Sequence, residues 1–194
     1  MKKSAVISLI FAFLCVCIAS AELGFGFQVP VHFTSFPSYD SLFASYQTAS
    51  DLFYAPFVEI GGKHTVFGFS YGWRHRSDSN LGSLKDTDLY GYFQGHLFGY
   101  RAFLDPFIEI GGGLIKSDYA IPAQDTDASN PLTASVYFSG GGGAGIILGN
   151  VGAFARVSYL LPAMQLMHSS KTSMIDPFFS QGIVCITVGG KIVL

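Results

Sequence analysis

The 194-residue chain is 49% hydrophobic and 15% aromatic yet only 12% charged, with a formal net charge of −2. Soluble domains carry about 25% charged residues, and no basic patch is present of the kind that nucleic acid requires. Past residue 21 there is no run of about 18 apolar residues, which excludes a membrane helix.

The N-terminus has the three parts of a secretory signal. Lys2 and Lys3 precede an apolar core from Ala5 to Ile18, and Ala19-Ser20-Ala21 offers small residues for cleavage. Residues 1–21 are expected to be removed, with Ala19 and Ala21 marking the site, leaving 22–194 as one barrel domain. Lipidation at Cys17 is the alternative, and Val16 is a poor residue before such a cysteine. Cys15 and Cys17 leave with the signal, so Cys185 has no partner for an internal disulfide. No Cys and His spacing suits zinc, and neither a metal nor a cofactor is expected.

A secreted, charge-poor, glycine-rich chain without a spanning helix can satisfy its backbone in lipid as a closed barrel, where every strand edge is paired. The first expected strand is Leu23–Phe33, in which Leu23, Phe25, Phe27, Val29 and Val31 alternate with Gly24, Gly26, Gln28, Pro30 and His32. Pro30 has no N–H for the ladder, which predicts a bulge. After a polar stretch to Leu52, the second strand, Phe53–Ile60, sets Tyr54, Val58 and Ile60 against Phe57 and Glu59. Gly61–His64 reads as a turn. The third, Thr65–Arg76, has the clearest period of two. Phe67, Phe69, Tyr71 and Trp73 form one face, and Gly68, Ser70, Gly72, Arg74 and Arg76 the other.

Ser77–Asp86 reads as a loop, followed by the fourth strand, Thr87–Gly99, with Leu89, Phe93 and Leu97 opposing Tyr90, Tyr92, Gln94 and His96. The fifth, Pro106–Lys116, sets Ile108, Ile110 and Leu114 against Phe107, Glu109, Gly111 and Gly113. A polar loop, Ser117–Leu132, leads to the sixth strand, Thr133–Leu148, with its Gly140–Gly143 run and a turn at Gly149-Asn150. In the seventh, Ala153, Ala155, Val157 and Tyr159 oppose Phe154, Arg156 and Ser158. Pro162–Phe178 reads as a loop before the eighth, Phe179–Leu194. The expectation is an all-β, eight-stranded antiparallel up-and-down transmembrane β-barrel with long and short connections alternating. An even count puts both mature termini on the periplasmic side and the long loops outside the cell.

Phe67, Phe69, Tyr71 and Trp73 are the expected lipid-facing aromatics. The opposite face is mostly glycine, serine and aromatic residues with a few charges, which suits a crowded lumen. Its expected lining is Phe57, Tyr90, Tyr92, His96, Phe98, Phe107 and Phe154, with His96 a hydrogen-bonded interior group rather than a ligand. Glu59, Glu109, Arg156 and Lys191 all fall within about 12 Å of the periplasmic rim at the rise of a tilted strand. They should pair into a plug, since an unpaired buried charge is costly. Solute would then leave sideways, at the glycines of strand six. The aspartates at 40, 51, 78, 86, 88, 118, 125, 127 and 176 fall in or beside the long loops as an acidic crown; Asp105 sits at a periplasmic turn. FYAPFVEIGG (53–62) and FLDPFIEIGG (103–112) match at seven of ten positions, on strands of opposite direction.

His168-Ser169-Ser170 is the best candidate for a nucleophile and base, but adjacent residues rarely form such a pair and no acid orients the histidine. No catalytic residue is expected. Asp105-Pro106-Phe107-Ile108 followed by glycines, and Ile175-Asp176-Pro177-Phe178-Phe179 before the last strand, resemble the OmpW family of small outer-membrane barrels. Arg74-His75-Arg76 is a shorter match, and the C-terminal Leu194 departs from the aromatic end usual in such chains. The resemblance implies a narrow, porin-like conduit for small hydrophobic solutes. The other reading is a surface-exposed adhesin or structural barrel whose acidic loops bind host or neighbouring molecules. Either way the expected partners are outer-membrane lipid and the barrel-assembly machinery, with no nucleic acid.

Overall fold

Strands with one apolar and one mixed face leave the mixed face without lipid or bulk water once the sheet curls until its edges meet. The computed structural model describes residues 22–32, 52–78, 82–120, 132–169, 172–177 and 183–194. The strands among them are β1 (Glu22–His32), β2 (Ala55–Gly61), β3 (Thr65–Asp78), β4 (Gly82–His96), β5 (Leu104–Ala120), β6 (Leu132–Leu148), β7 (Val151–Ser169), β8 (Thr172–Pro177) and β9 (Ile183–Val193). Each strand from β1 to β7 pairs with the next, and β9 pairs with both β7 and β1 to close the ring. β8 and β9 are two segments of one stave, because β7 pairs with β9 over Val151–Leu160 and with β8 over Met164–Ser169. The architecture is an all-β, eight-staved antiparallel barrel. The turns at 62–64, 97–103 and 149–150 lie at the same end as Glu22 and Leu194, the turn end; the opposite end is the loop end. Residues 1–21 with Ala19 and Ala21, Phe33, the aspartates at 40, 51, 125 and 127, Ser170, and Phe178-Phe179 lie outside the described residues.

Several expected boundaries move. The β3–β4 hairpin is paired without interruption from Thr65↔Gly95 to Asp78↔Gly82, where a loop was expected at Ser77–Asp86. Asp86 and Asp88 are therefore buried inward strand residues and not part of an acidic crown. Carboxylates at alternate positions look like loop chemistry; here the lumen supplies their partners. β5 runs past Lys116 to Ala120, and the segment 162–178 contains the end of β7 and all of β8. β7 passes Pro162 by a register shift: Val136 faces Met164 and Tyr137 faces Pro162, so Ala163 is an extra residue on its strand. A proline cannot donate to the ladder, and a bulge beside it absorbs the loss.

The bulge expected at Pro30 is absent, for β1 holds one register against β9 from Gly24↔Val193 to His32↔Cys185. The N–H and C=O of a strand residue point to the same neighbour. Pro30 O accepts from Phe53 N on the β2 side, just beyond the end of the β1–β2 ladder at Gln28↔Ala55. The Val31↔Leu52 bridge continues the same register beyond it, so the missing N–H costs the ladder one bond without shifting the strand.

Phe67, Phe69, Tyr71 and Trp73 are 42–56% exposed on the outer wall. The inward face is packed by a repeated device. A glycine on one strand lies opposite an inward aromatic on its neighbour, as at Gly26↔Phe57, Gly68↔Tyr92, Gly113↔Tyr137 and Gly189↔Phe154. In each pair the ring lies over the glycine where a Cβ would stand, so aromatic side chains fold flat along the wall. Gly68→Val should strike the Tyr92 ring and destabilise the barrel by about 1–3 kcal/mol, the usual cost of overpacking. Gly140→Ala, with open space at its Cβ, should stay within about 0.5 kcal/mol of the parent. Urea unfolding of the lipid-refolded protein compares the two.

Candidate functional site: the charged lumen

Glu59 on β2 and Glu109 on β5 are 2% exposed, and each anchors a network built from several staves. Glu59 pairs with Lys191 Nζ of β9 at 3.5 Å. It also accepts hydrogen bonds from Tyr92 Oη at 2.9 Å and Tyr100 Oη at 2.5 Å. Glu109 pairs with Arg156 Nη1 of β7 at 2.5 Å and accepts from Tyr90 Oη at 2.6 Å and Gln94 Nε2 at 2.8 Å. The two networks touch through the Tyr90 and Tyr92 rings, stacked at 5.4 Å, and Arg156 lies over both at 5.4 and 5.3 Å. Lys191 Nζ lies 4.0 Å from the Tyr100 ring centroid. Burial, together with the Glu59 carboxylate, pushes the Tyr100 phenol above its ordinary range, so it stays protonated and donating.

The near-repeat has its explanation here. In each copy an inward phenylalanine precedes an inward glutamate by two residues, Phe57 before Glu59 and Phe107 before Glu109. β2 descends to the turn end while β5 rises from it, so Phe57 lies on the loop side of its carboxylate and Phe107 on the turn side. The two phenylalanines belong to one apolar cluster with Phe154, so the two copies meet in the lumen although their opposite strand directions rule out a duplicated hairpin.

Further pairs extend the network toward both ends. At the turn end His96 Nδ1 lies 2.8 Å from Asp105, and Val66, Tyr100, Ile147 and Val193 form an apolar floor. Toward the loop end Arg74 binds Asp86 at 2.5 Å, and Ser117 donates to the same carboxylate. Between these levels Asp88 accepts from Tyr137 Oη at 2.9 and 3.1 Å. Beside it is a lumen cavity of about 20 Å³, close to the volume that one water needs, about 10–15 Å³.

Of the expected lining, Phe57, Tyr90, Tyr92, His96, Phe107 and Phe154 are buried and inward. Phe98 is not: it lies in the turn between β4 and β5 and is 57% exposed, because β4 ends at His96 and the alternation stops there. The expected sideways exit at Gly140–Gly143 is also corrected. β6 is paired there without a break on both sides, to Ile110–Phe107 and to Tyr159–Arg156. Gly141 and Gly143 face inward and let Ser158 and Arg156 crowd the lumen. Of His168-Ser169-Ser170, the first two end β7. Sequence reasoning did not find Tyr100, Tyr137, Asp86 or Asp88. Tyr137 and Asp88 share the phase of their inward neighbours, a signal that was present, whereas Tyr100 sits on a turn and folds back inside without any periodic mark.

No family model and no curated protein matches this chain. Its fold is that of solved bacterial barrels. The N-terminal β-barrel domain of Pseudomonas aeruginosa OprF matches with a TM-score of 0.53 at 13% identity, over 90% of this chain and 98% of that one. Neisserial surface protein A (NspA) matches at 0.50 and 10%, over 89% and 96%. A major outer membrane protein from Thermus thermophilus matches at 0.52 and 7%, over 90% and 100%. At these identities the likeness is one of fold, and the OmpW resemblance rests on the short motifs alone.

Arg156→Met should destabilise the barrel by about 3–5 kcal/mol by leaving Glu109 a buried charge without its cation. Adding Glu109→Gln to that variant should restore much of the loss. A double-mutant cycle from urea unfolding measures both changes.

Proposed function

We propose that this chain is an integral outer-membrane barrel whose lumen is sealed, serving as a surface-exposed anchor for its long connections rather than as a straight-through pore. The membrane reading is supported by the apolar, aromatic outer wall, by the charged interior, and by the fold shared with outer-membrane barrels. The observation that carries the seal is the pair of networks at Glu59 and Glu109, whose cations and tyrosines cross the lumen. The cavity beside Asp88 admits about one water molecule. The two longest connections, 33–54 and 121–131, both leave the loop end and are suited to contact host or neighbouring molecules there.

The conduit for small hydrophobic solutes implied by the OmpW resemblance would need a route around this seal, and the paired wall at β6 offers none at the glycines. Planar-bilayer recording separates the readings. The parent should be silent, and Glu59→Gln with Glu109→Gln should raise ion conductance at least several-fold in protein that still shows the folded gel mobility. Steady conductance or passage of apolar solutes by the parent would return the conduit to first place. Orientation is read separately, in a Cys185→Ala background. A cysteine at Asp125 should react with an impermeant thiol reagent on intact cells, and cysteines at Lys63 or Asn150 should not.

A further inference from the structure

The outer wall gathers its charges in one place. Among the described side chains that face outward along the strands, the acidic or basic ones are His75 on β3, Lys85 on β4, and Lys116 and Asp118 on β5. They are neighbours in register. His75 and Asp118 lie on either side of Lys85, and in the next row toward the turn end Trp73 and Lys116 lie on either side of Thr87. Opposed residues have Cβ atoms about 5 Å apart and diagonal ones about 7–8 Å, so Lys85 stands within reach of both His75 and Lys116. Lys116 Nζ is matched by Asp118 at 3.2 Å, whereas Lys85 makes no ion pair among the described residues. A surplus of positive charge is left beside the aromatic contacts that join Tyr71, Trp73, Phe27 and Tyr54. Tryptophan and tyrosine on such a wall mark the depth of the lipid headgroups.

Toward the turn end of the same strands the wall is hollowed. A groove of about 500 Å³ is bordered by Phe67, Gly91, Phe93, Ile110 and Phe138, and no charged residue lines it. Gly91 faces Gly112 across the ladder, and nothing stands within 4 Å of the place a Cβ on Gly91 would take. Gly91 lies six residues from Lys85, about 14 Å at the rise of a tilted strand, and half the hydrocarbon core is about 15 Å deep. We infer that the outer face of β3–β6 holds one phosphate-bearing lipid, its headgroup at Lys85 between His75 and Lys116 and an acyl chain along the groove. The inference rests on the membrane reading proposed above. The phosphate supplies the negative charge that Lys85 lacks, at the depth where headgroups attract lysine. The groove supplies apolar contact that a soluble anion cannot use.

Trp73 is the single tryptophan of the chain, and its row in the ladder reaches Lys116, so its fluorescence reads lipid at this site. The chain is refolded into phosphatidylcholine vesicles that contain a small fraction of lipid with brominated, quenching chains. At equal mole fraction, brominated phosphatidic acid, with its uncapped phosphate, should quench several-fold more than brominated phosphatidylcholine, whose choline offsets the phosphate charge. Lys85→Gln should bring the two lipids to parity, Lys85→Arg should keep most of the preference, and Gly91→Leu, which fills the groove, should reduce it. These side chains face outward, so the variants leave the lumen packing alone. Arg101→Gln, at the turn end beside Glu22, should change nothing. Equal quenching by the two lipids in the parent would overturn the site. So would an equal loss of preference in Arg101→Gln, which would mean attraction to charge anywhere on the barrel. Release of the quenching by excess inorganic phosphate would overturn the lipid as occupant. Quenching by neither lipid would instead sink the membrane reading, and the site with it.

Discussion

A charge on the inner wall of an eight-staved barrel has nowhere to go but to another inner-wall residue. The bore is about wide enough for side chains alone, so a carboxylate that turns inward loses its water without gaining lipid. Breaking one partner of such a pair costs far more than the pair contributes. The described interior follows from this constraint. Glu59 and Glu109 each collect a cation and two neutral donors from strands far apart in sequence. Because those donors come from β4, β7, β9 and the β4–β5 turn, satisfying two carboxylates ties together most of the circumference.

The glycines are the other half of the same arrangement. A tyrosine standing upright from the wall would fill the bore without reaching a carboxylate two strands away. Laid flat over a glycine, as Tyr92 is over Gly68, it spans the next strand and delivers its hydroxyl to Glu59. Tyr90 lies over Gly111 of the adjacent β5 and reaches Glu109 on that same strand. The high glycine content is thus a packing requirement of the lumen, and hydrogen bonding decides where the rings point.

The period of two was legible because lipid demands apolar residues at alternate positions and tolerates few exceptions. Phe67, Phe69, Tyr71 and Trp73 could scarcely be read otherwise, and Glu59, Glu109, Arg156 and Lys191 fell in phase with the inner face. What could not be read was partner choice, since it depends on which strands come round to meet. Strand ends were hidden for a related reason: Asp86 and Asp88 look like loop residues until Arg74 and Tyr137 are seen across from them. Phe98 erred in the opposite sense. Alternation was carried one step past the end of β4, where no ladder remains to enforce it. Tyr100 lies on a turn, and only the closed barrel reveals that its phenol reaches Glu59.

The charges have a consequence for register that an apolar interior would lack. A strand with apolar residues on both faces can slip by one position and still present an acceptable surface to lipid. With Glu59 inward on β2 and Arg156 inward on β7, a one-residue slip would turn each onto the hydrocarbon. For arginine or lysine near midplane that costs about 2–4 kcal/mol, and the abandoned partner would lose its counter-charge as well. Buried ion pairs are weak evidence for net stability. In this barrel they instead penalise wrong pairings steeply, so the seal across the lumen and the uniqueness of the strand register come from the same side chains. The near-repeat shows how little sequence this needs, because Phe-x-Glu-Ile-Gly fixes an inward ring, an inward charge and an inward gap in five residues. Using it once on a descending strand and once on a rising one sets two such checks whose rings share a single aromatic cluster.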